Sequence, residues 1–253
     1  METGKPNPSP PPPSQVRHKL SVFFPCYNEE GNVRRVAAEA MAFLPTVSDD
    51  FEVILVDDGS RDGTPAIIDE LAAGDARIRA VHHDRNRGYG AALQSGFRAS
   101  SPNRELVFYT DGDGQFDIAD MAALLPLIER YDIVSGYRLH RQDSALRRLN
   151  GWMWGVVVRW MLGLRFRDVD SAFKLYRREI FDRIEMKSTG ALIDAEILAR
   201  AERAGYAMVE VPVRHRPRLA GKQTGANLKV ILRAFGELWK LRKAILATPR
   251  SKT

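Results

Sequence analysis

The sequence predicts an α/β protein built on a mostly parallel central sheet with helices on both faces. Three observations predict it. Short apolar, β-rich runs alternate with helix-patterned segments over the first 137 of the 253 residues. The runs are almost continuously apolar, as strands covered on both faces are. Several of them give way to a polar turn rich in Asp and Gly, at the strand end where such sheets hold ligands.

The elements follow in order. Residues 1–18 are rich in Pro and Ser, with a run Pro10-Pro11-Pro12-Pro13, and predict a disordered or polyproline tail. The folded domain is expected over 19–225. Residues 20–24 form a first buried strand, ending before Pro25. A helical pattern over 29–44 (Val33, Val36, Ala40, Phe43) stops before Pro45. Residues 51–56 are a second strand, and Thr64-Pro65 opens a helix to 73 with Pro in its first turn. Strands over 78–82 and 106–110 bracket a helix over 90–99, and a helix over 121–130 precedes a strand over 133–137. Beyond these the pattern gives a long apolar helix over 147–164, a strand over 172–176, a helix over 192–204 and a strand over 208–213. A basic amphipathic helix over 228–246 lies in a last segment, 226–253.

Composition narrows the class. Charged residues at 28% and hydrophobic ones at 44% match a globular chain and exclude a disordered one. No apolar run reaches the 18 or so residues of a membrane span, and no signal-peptide pattern opens the chain. A single cysteine, Cys26, excludes an internal disulfide framework and a Cys-based zinc site, and the expected location is cytoplasmic. The net charge of +6 is uneven: residues 214–253 hold eleven Lys and Arg against Glu237, a net +10, which leaves −4 elsewhere. A basic end on a mildly acidic body points to a phosphate-bearing or anionic partner. No aromatic–basic recognition motif accompanies it, so nucleic acid is not the expected partner.

The chemistry is expected at three strand ends. Pro25-Cys26-Tyr27-Asn28-Glu29-Glu30 follows the first strand, Asp57-Asp58-Gly59-Ser60 the second and Asp111-Gly112-Asp113-Gly114-Gln115 the fourth. One such cluster is ordinary turn chemistry, but three would converge on one sheet edge. Asp111 and Asp113, separated by the small Gly112, repel each other unless a cation joins them. Hard oxygen ligands, with Gln115 as a third, suit Mg2+ or Mn2+ whose other positions go to water and phosphate. No P-loop occurs, and Gly88-Tyr89-Gly90 lacks the third glycine of a dinucleotide fingerprint.

These three motifs resemble the signatures of family 2 inverting glycosyltransferases with the GT-A fold. Gly136-Tyr137-Arg138, Asp170-Ser171-Ala172-Phe173-Lys174 and Glu210-Val211-Pro212-Val213 with Arg218 and Gly221 narrow the resemblance to polyprenyl-phosphate sugar transferases of the dolichol-phosphate mannose synthase kind. The resemblance implies transfer of a hexose, mannose or glucose, from GDP-mannose or UDP-glucose to a polyprenyl phosphate. It implies that Pro25, Tyr27, Glu29, Asp57, Asp58, Asp111 and Gly112 hold the nucleotide-sugar, and that Asp111, Asp113 and Gln115 hold the metal. Arg138, Arg147, Arg148 and Arg218 would face the acceptor phosphate, with Asp113, Arg138 and Arg218 as the catalytic set. The chain departs from the family where Phe116-Asp117 replaces the frequent His-Pro after the glutamine, and where residues 214–222 are richer in charge than usual.

Two stretches are expected at a membrane surface. Residues 150–164 carry Trp152, Trp154 and Trp160 between arginines, a composition suited to the headgroup boundary and too short to span about 30 Å. The last helix sets Phe235 and Trp239 among apolar residues opposite lysines and arginines, the pattern of a helix lying on an anionic surface. A core helix in the first case and a solvated basic face in the second are the alternatives. Three rival functions stand beside the transferase. One is a family 2 enzyme with a hydroxyl acceptor and Asp168 or Asp170 as base. The others are a magnesium phosphohydrolase with Asp111 as nucleophile and a membrane-bound module without catalysis.

Overall fold

The computed structural model describes residues 17–139, 145–218 and 228–247, and of 145–152, 228–235 and 246–247 the backbone only. Seven strands of the described residues form one sheet: β1 (Leu20–Cys26), β2 (Phe51–Asp57), β3 (Ile78–His82), β4 (Leu106–Thr110), β5 (Ile133–Leu139), β6 (Phe173–Arg177) and β7 (Met208–Arg214). Their order is β3-β2-β1-β4-β6-β5-β7. β1, β2, β3 and β4 are mutually parallel, β5 and β7 pair in parallel, and β6 runs antiparallel to both neighbours. The expected mostly parallel sheet is therefore present.

Among the described residues seven α-helices accompany it: α1 (Val33–Phe43), α2 (Thr64–Gly74), α3 (Tyr89–Ala99), α4 (Ala145–Leu162), α5 (Ile180–Arg183), α6 (Ile193–Arg203) and α7 (Leu228–Ala247). β1, β2 and β4 are buried along their whole length, which is why they read as continuous apolar runs. Stacked and edge-on rings of Phe23, Phe97, Tyr109, Tyr176 and Phe181 fix α3 against the sheet.

Three expectations change. The helix expected over 121–130 is two 3-10 turns, Ile118–Ala123 and Leu125–Leu127. Pro126 has no N–H to give an α-helical ladder and disfavours α geometry at Leu125. β1 continues through Pro25 to Cys26, where the missing proline N–H is tolerated at a strand end. Arg17 and His18 belong to the folded part: His18 is buried with its ring nitrogens 2.9 Å from Glu105 and 2.8 Å from Glu129. The rest of the Pro-rich tail, residues 1–16, lies outside the described residues.

Candidate active site

Because β1, β2 and β4 are parallel neighbours, their carboxyl ends bring the three polar clusters to one edge. A cavity of about 610 Å3 opens there, lined among others by Tyr27, Glu29, Asp58, Asp111, Asp113 and Arg218. Side chains lace the first two loops together. Asn28, at φ 56°, accepts from the Arg61 N–H at 2.8 Å, and its own N–H donates to Ser60 at 2.9 Å. The Glu29 N–H donates to Thr64 at 2.8 Å, and Glu30 accepts from the Gly63 N–H at 2.7 Å.

Asp111 and Asp113 come together as expected. Asp113 is buried and accepts from the Gln115 N–H at 3.0 Å, which shapes the turn. Burial, then the charge of Asp113, push the Asp111 carboxyl up to about 8. Asp111 Oδ1 is buried and accepts no hydrogen bond from the described residues. A buried carboxylate oxygen with no donor, beside a second carboxylate, fits a hard divalent cation. Among the described residues no three His, Cys, Asp or Glu groups could hold a metal by themselves. Two carboxylates with the remaining positions left to a ligand are the arrangement Mg2+ accepts with phosphates.

Arg218 lines the cavity, whereas Arg138 does not line it and lies close enough for its charge to act on Asp111. Arg218 pairs with Glu29 and approaches Asp113 at 3.4 Å. Burial raises the Glu29 carboxyl, and Asn32, bonded at 2.7 Å, and Arg218 oppose that rise. Arg138 is held by Asp168 through two bonds of 2.7 Å, a bidentate fork. Glu210 in turn accepts the N–H groups of Arg167 and Asp168 at 2.6 and 3.0 Å.

Several expected residues lie elsewhere. Asp57 faces a neighbouring cavity of about 530 Å3, accepting from the Ser60 N–H at 3.0 Å with His82 at 3.3 Å. Gln115 does not line the main cavity, and its Nε2 donates to the Arg216 carbonyl at 3.2 Å. The Arg147, Arg148, Trp152 and Phe235 side chains and Gly221 lie outside the described residues. Pro25 and Gly112 line the cavity.

Sequence reasoning missed Asn86, Gly88 and Tyr89, which line the cavity from the N-terminal end of α3. The signal was the Gly88-Tyr89-Gly90 segment, set aside as a failed dinucleotide fingerprint. It also missed Asp194. Behind the cavity Lys174, fully buried, donates to Asp194 at 2.8 Å, and the Tyr109 hydroxyl donates to the same carboxylate. Burial, then the charges of Asp111 and Asp194, push the Tyr89 hydroxyl well up, so this ring lies within reach of both carboxylates.

On the outer side α4 presents Met153, Val156 and Trp160, one helical face, to solvent, with Trp160 79% exposed. Its other face, with Val158 buried and Trp154 half-buried, packs on the core. The apolar stripe of α7 divides the same way. Leu238, Leu241 and Ile245 are buried, whereas Trp239 is 55% exposed with the Lys243 ammonium 5.9 Å from its ring. No described helix is long and apolar enough to cross a membrane.

Residues 21–185 match the model of glycosyl transferase family 2. Glycosyltransferase AglD of Haloferax volcanii is 36% identical over 220 residues, 79% of this chain and 33% of that protein. Polyprenol monophosphomannose synthase of Mycolicibacterium smegmatis is 28% identical over 91% of both chains. An undecaprenyl-phosphate 4-deoxy-4-formamido-L-arabinose transferase of Pseudomonas fluorescens is 31% identical over 85% of this chain and 62% of its own. The chain thus spans a third of the first relative, most of the second and under two-thirds of the third. Among solved structures, glucosyl-3-phosphoglycerate synthase of Mycobacterium tuberculosis in complex with Mn2+, UDP and phosphoglyceric acid aligns at TM-score 0.64 and 20% identity. That alignment covers 92% of this chain and 80% of that one. The sheet and its helices are the GT-A fold that the motifs imply, and the chain belongs to glycosyl transferase family 2.

Proposed function

We propose that this chain transfers a hexose, mannose or glucose, from a nucleotide-diphosphate sugar to a polyprenyl phosphate, with Mg2+ or Mn2+, at the cytoplasmic face of a membrane. The observation that carries it is the Asp111–Asp113 pair at the floor of a cavity rimmed by Arg218. The names of the relatives supply the class of acceptor: one is a polyprenol monophosphomannose synthase and another acts on undecaprenyl phosphate.

The residues divide the work. Tyr27, Glu29 and Asp58 line the part of the cavity that would take the nucleotide. Asp111 and Asp113 would hold the cation, which when bound neutralises charge on the departing nucleoside diphosphate. A lipid monophosphate has a second pKa of about 6 and is already a dianion near neutrality. It needs no general base. It needs cations to bring it to a second anion, and Arg138 and Arg218 supply planar guanidinium groups for that. Asp168 holds Arg138 by its Nε and one Nη, leaving the remaining N–H groups for an oxyanion. In the transfer, an acceptor phosphate oxygen bonds to the anomeric carbon as the bond to the nucleoside diphosphate breaks, with inversion. Met153, Val156 and Trp160 on α4 and Trp239 on α7, the last beside Lys243, are exposed apolar side chains suited to an anionic headgroup layer.

The test combines two measurements. Thermal shifts with UDP and GDP in Mn2+ identify the donor base, and transfer to extracted polyprenyl phosphate by wild type and Asp113→Ala measures turnover. Stabilisation by one diphosphate and transfer lost in the variant are expected. Phosphate release from simple esters without sugar transfer, or full activity of Asp113→Ala, would refute the reading. Flotation with vesicles containing anionic lipid, weakened by Trp160→Ser with Trp239→Ser, tests the membrane face.

A further inference from the structure

The donor cavity has a rim whose shape depends on side chains outside the family motifs. Asp58 lines the cavity, yet its carboxylate is occupied by the protein: Oδ1 accepts from the Arg87 N–H at 2.8 Å and Oδ2 from the Gly88 N–H at 3.0 Å. A third bond comes from His83, whose Nδ1 lies 2.6 Å from Asp58 Oδ1. An ionised carboxylate only accepts, so Nδ1 carries the proton. The other ring nitrogen, Nε2, lies 2.8 Å from the Ser95 hydroxyl on α3. Both the His83 and Asp58 side chains are buried, at 3% and 5% exposure, so the bond between them does not compete with bulk water, while the bond to Ser95 is part-buried.

The segment these bonds hold, 84–88, is pinned from below as well. A Cβ on Gly59, at φ +67°, would meet Arg85 C at 2.3 Å and Asn86 N at 2.5 Å. Asn86 and Gly88 from this segment line the cavity. A carboxylate that must both anchor two backbone N–H groups and face a ligand is sensitive to rotation, and His83 fixes that rotation.

We infer that His83, braced by Ser95, is a positioning residue for the donor: it orients Asp58 and through it the Arg87–Gly88 rim of the nucleotide pocket. The inference rests on the reading of this cavity as the donor site. It assigns His83 to donor binding and not to the acceptor or to the chemical step.

The experiment compares two amides in the full chain. In His83→Asn the side-chain Nδ2 takes the place of the imidazole Nδ1 and keeps the bond to Asp58. In His83→Gln the longer amide reaches toward Ser95 and abandons Asp58. Titration calorimetry with UDP and with GDP in Mn2+ gives affinity, and transfer kinetics give KM and kcat. For the diphosphate that wild type binds, His83→Gln is expected to weaken affinity about 10-fold and Ser95→Ala about 3-fold, while His83→Asn stays within about 3-fold. Donor KM follows these changes, whereas acceptor KM and kcat at saturating donor stay within about 2-fold. Equal losses in the Asn and Gln variants, or a loss in kcat at unchanged donor KM, would assign His83 a packing role and overturn the inference. So would wild-type affinity in His83→Gln. A wild-type chain that binds neither diphosphate overturns the donor-site reading itself, a separate outcome from binding that the variants leave unchanged.

Discussion

Adding one methyl group at Gly112 tests whether the two carboxylates must be held where they are. A Cβ there would lie 2.6 Å from Cys26 Sγ and 3.0 Å from the Pro25 carbonyl oxygen. The first distance is about 1 Å inside an optimal contact. Both neighbours belong to β1, to which Gly112 is already tied by its N–H on the Pro25 carbonyl at 3.2 Å. The 111–113 turn must therefore back away from β1 and carry both carboxylates with it. Overpacking of this kind costs about 1–3 kcal/mol. For a chain of this size that is a fall in Tm of roughly 3–10 °C. A displacement near 1 Å at a reacting site costs on the order of 100-fold in rate. The assay is differential scanning fluorimetry with transfer kinetics on Gly112→Ala, Cys26→Ala and the double variant. Removing Sγ opens the space, so the double variant should regain most of the Tm and rate that Gly112→Ala loses, with the Pro25 contact keeping recovery incomplete. Wild-type behaviour of Gly112→Ala, or strictly additive losses in the double variant, would refute the reasoning.

Three further outcomes are expected. Arg218→Ala removes a charged partner from the buried Glu29 and Asp113 and should lower stability without metal by about 2 kcal/mol. Mn2+ with a nucleoside diphosphate should then raise Tm more in the variant than in wild type, and equal shifts in calorimetry would contradict this. The Asp111 carboxyl titrates near 8 in the folded protein against 3.8 unfolded, so the folded state keeps a proton the unfolded state loses. Stability of the metal-free protein should fall as pH rises from about 4 to 8. Asp111→Asn should flatten that slope in thermal scans. Asp168→Asn leaves Arg138 without its ionised partner and should raise acceptor KM by about 10-fold while donor affinity holds.

Much of this was legible because it is local. An apolar run ending in Asp-Gly turns encodes both a buried strand and the site at its end, so β1, β2, β4 and Asp111–Asp113 could be read directly. Pro126 is equally local, yet the apolar spacing around it imitates a helix. The rest depends on partners far apart in the chain. Asp58 reads as a ligand-binding acid until Arg87, Gly88 and His83 are seen to occupy it, about thirty residues on. Lys174 and Asp194 meet only after β6 inserts beside β4. The division of α7 into a buried and an exposed apolar side comes from what α4 and α6 place against it, which the helical spacing alone does not contain.

The reversed strand β6 sits between two sets of parallel strands. On one side β3, β2, β1 and β4 come from one uninterrupted stretch of chain and carry Asp58, Asp111 and Asp113. On the other, β5 and β7 carry Arg138 and lead to Arg218. The seam does not separate two independent halves: the Ala91 N–H donates to the Thr189 carbonyl, the Tyr109 hydroxyl donates to Asp194, and Arg218 reaches Glu29 and Asp113. A hybrid that exchanges the segment after residue 130 with that of another family member must therefore match these contacts to keep the cavity whole.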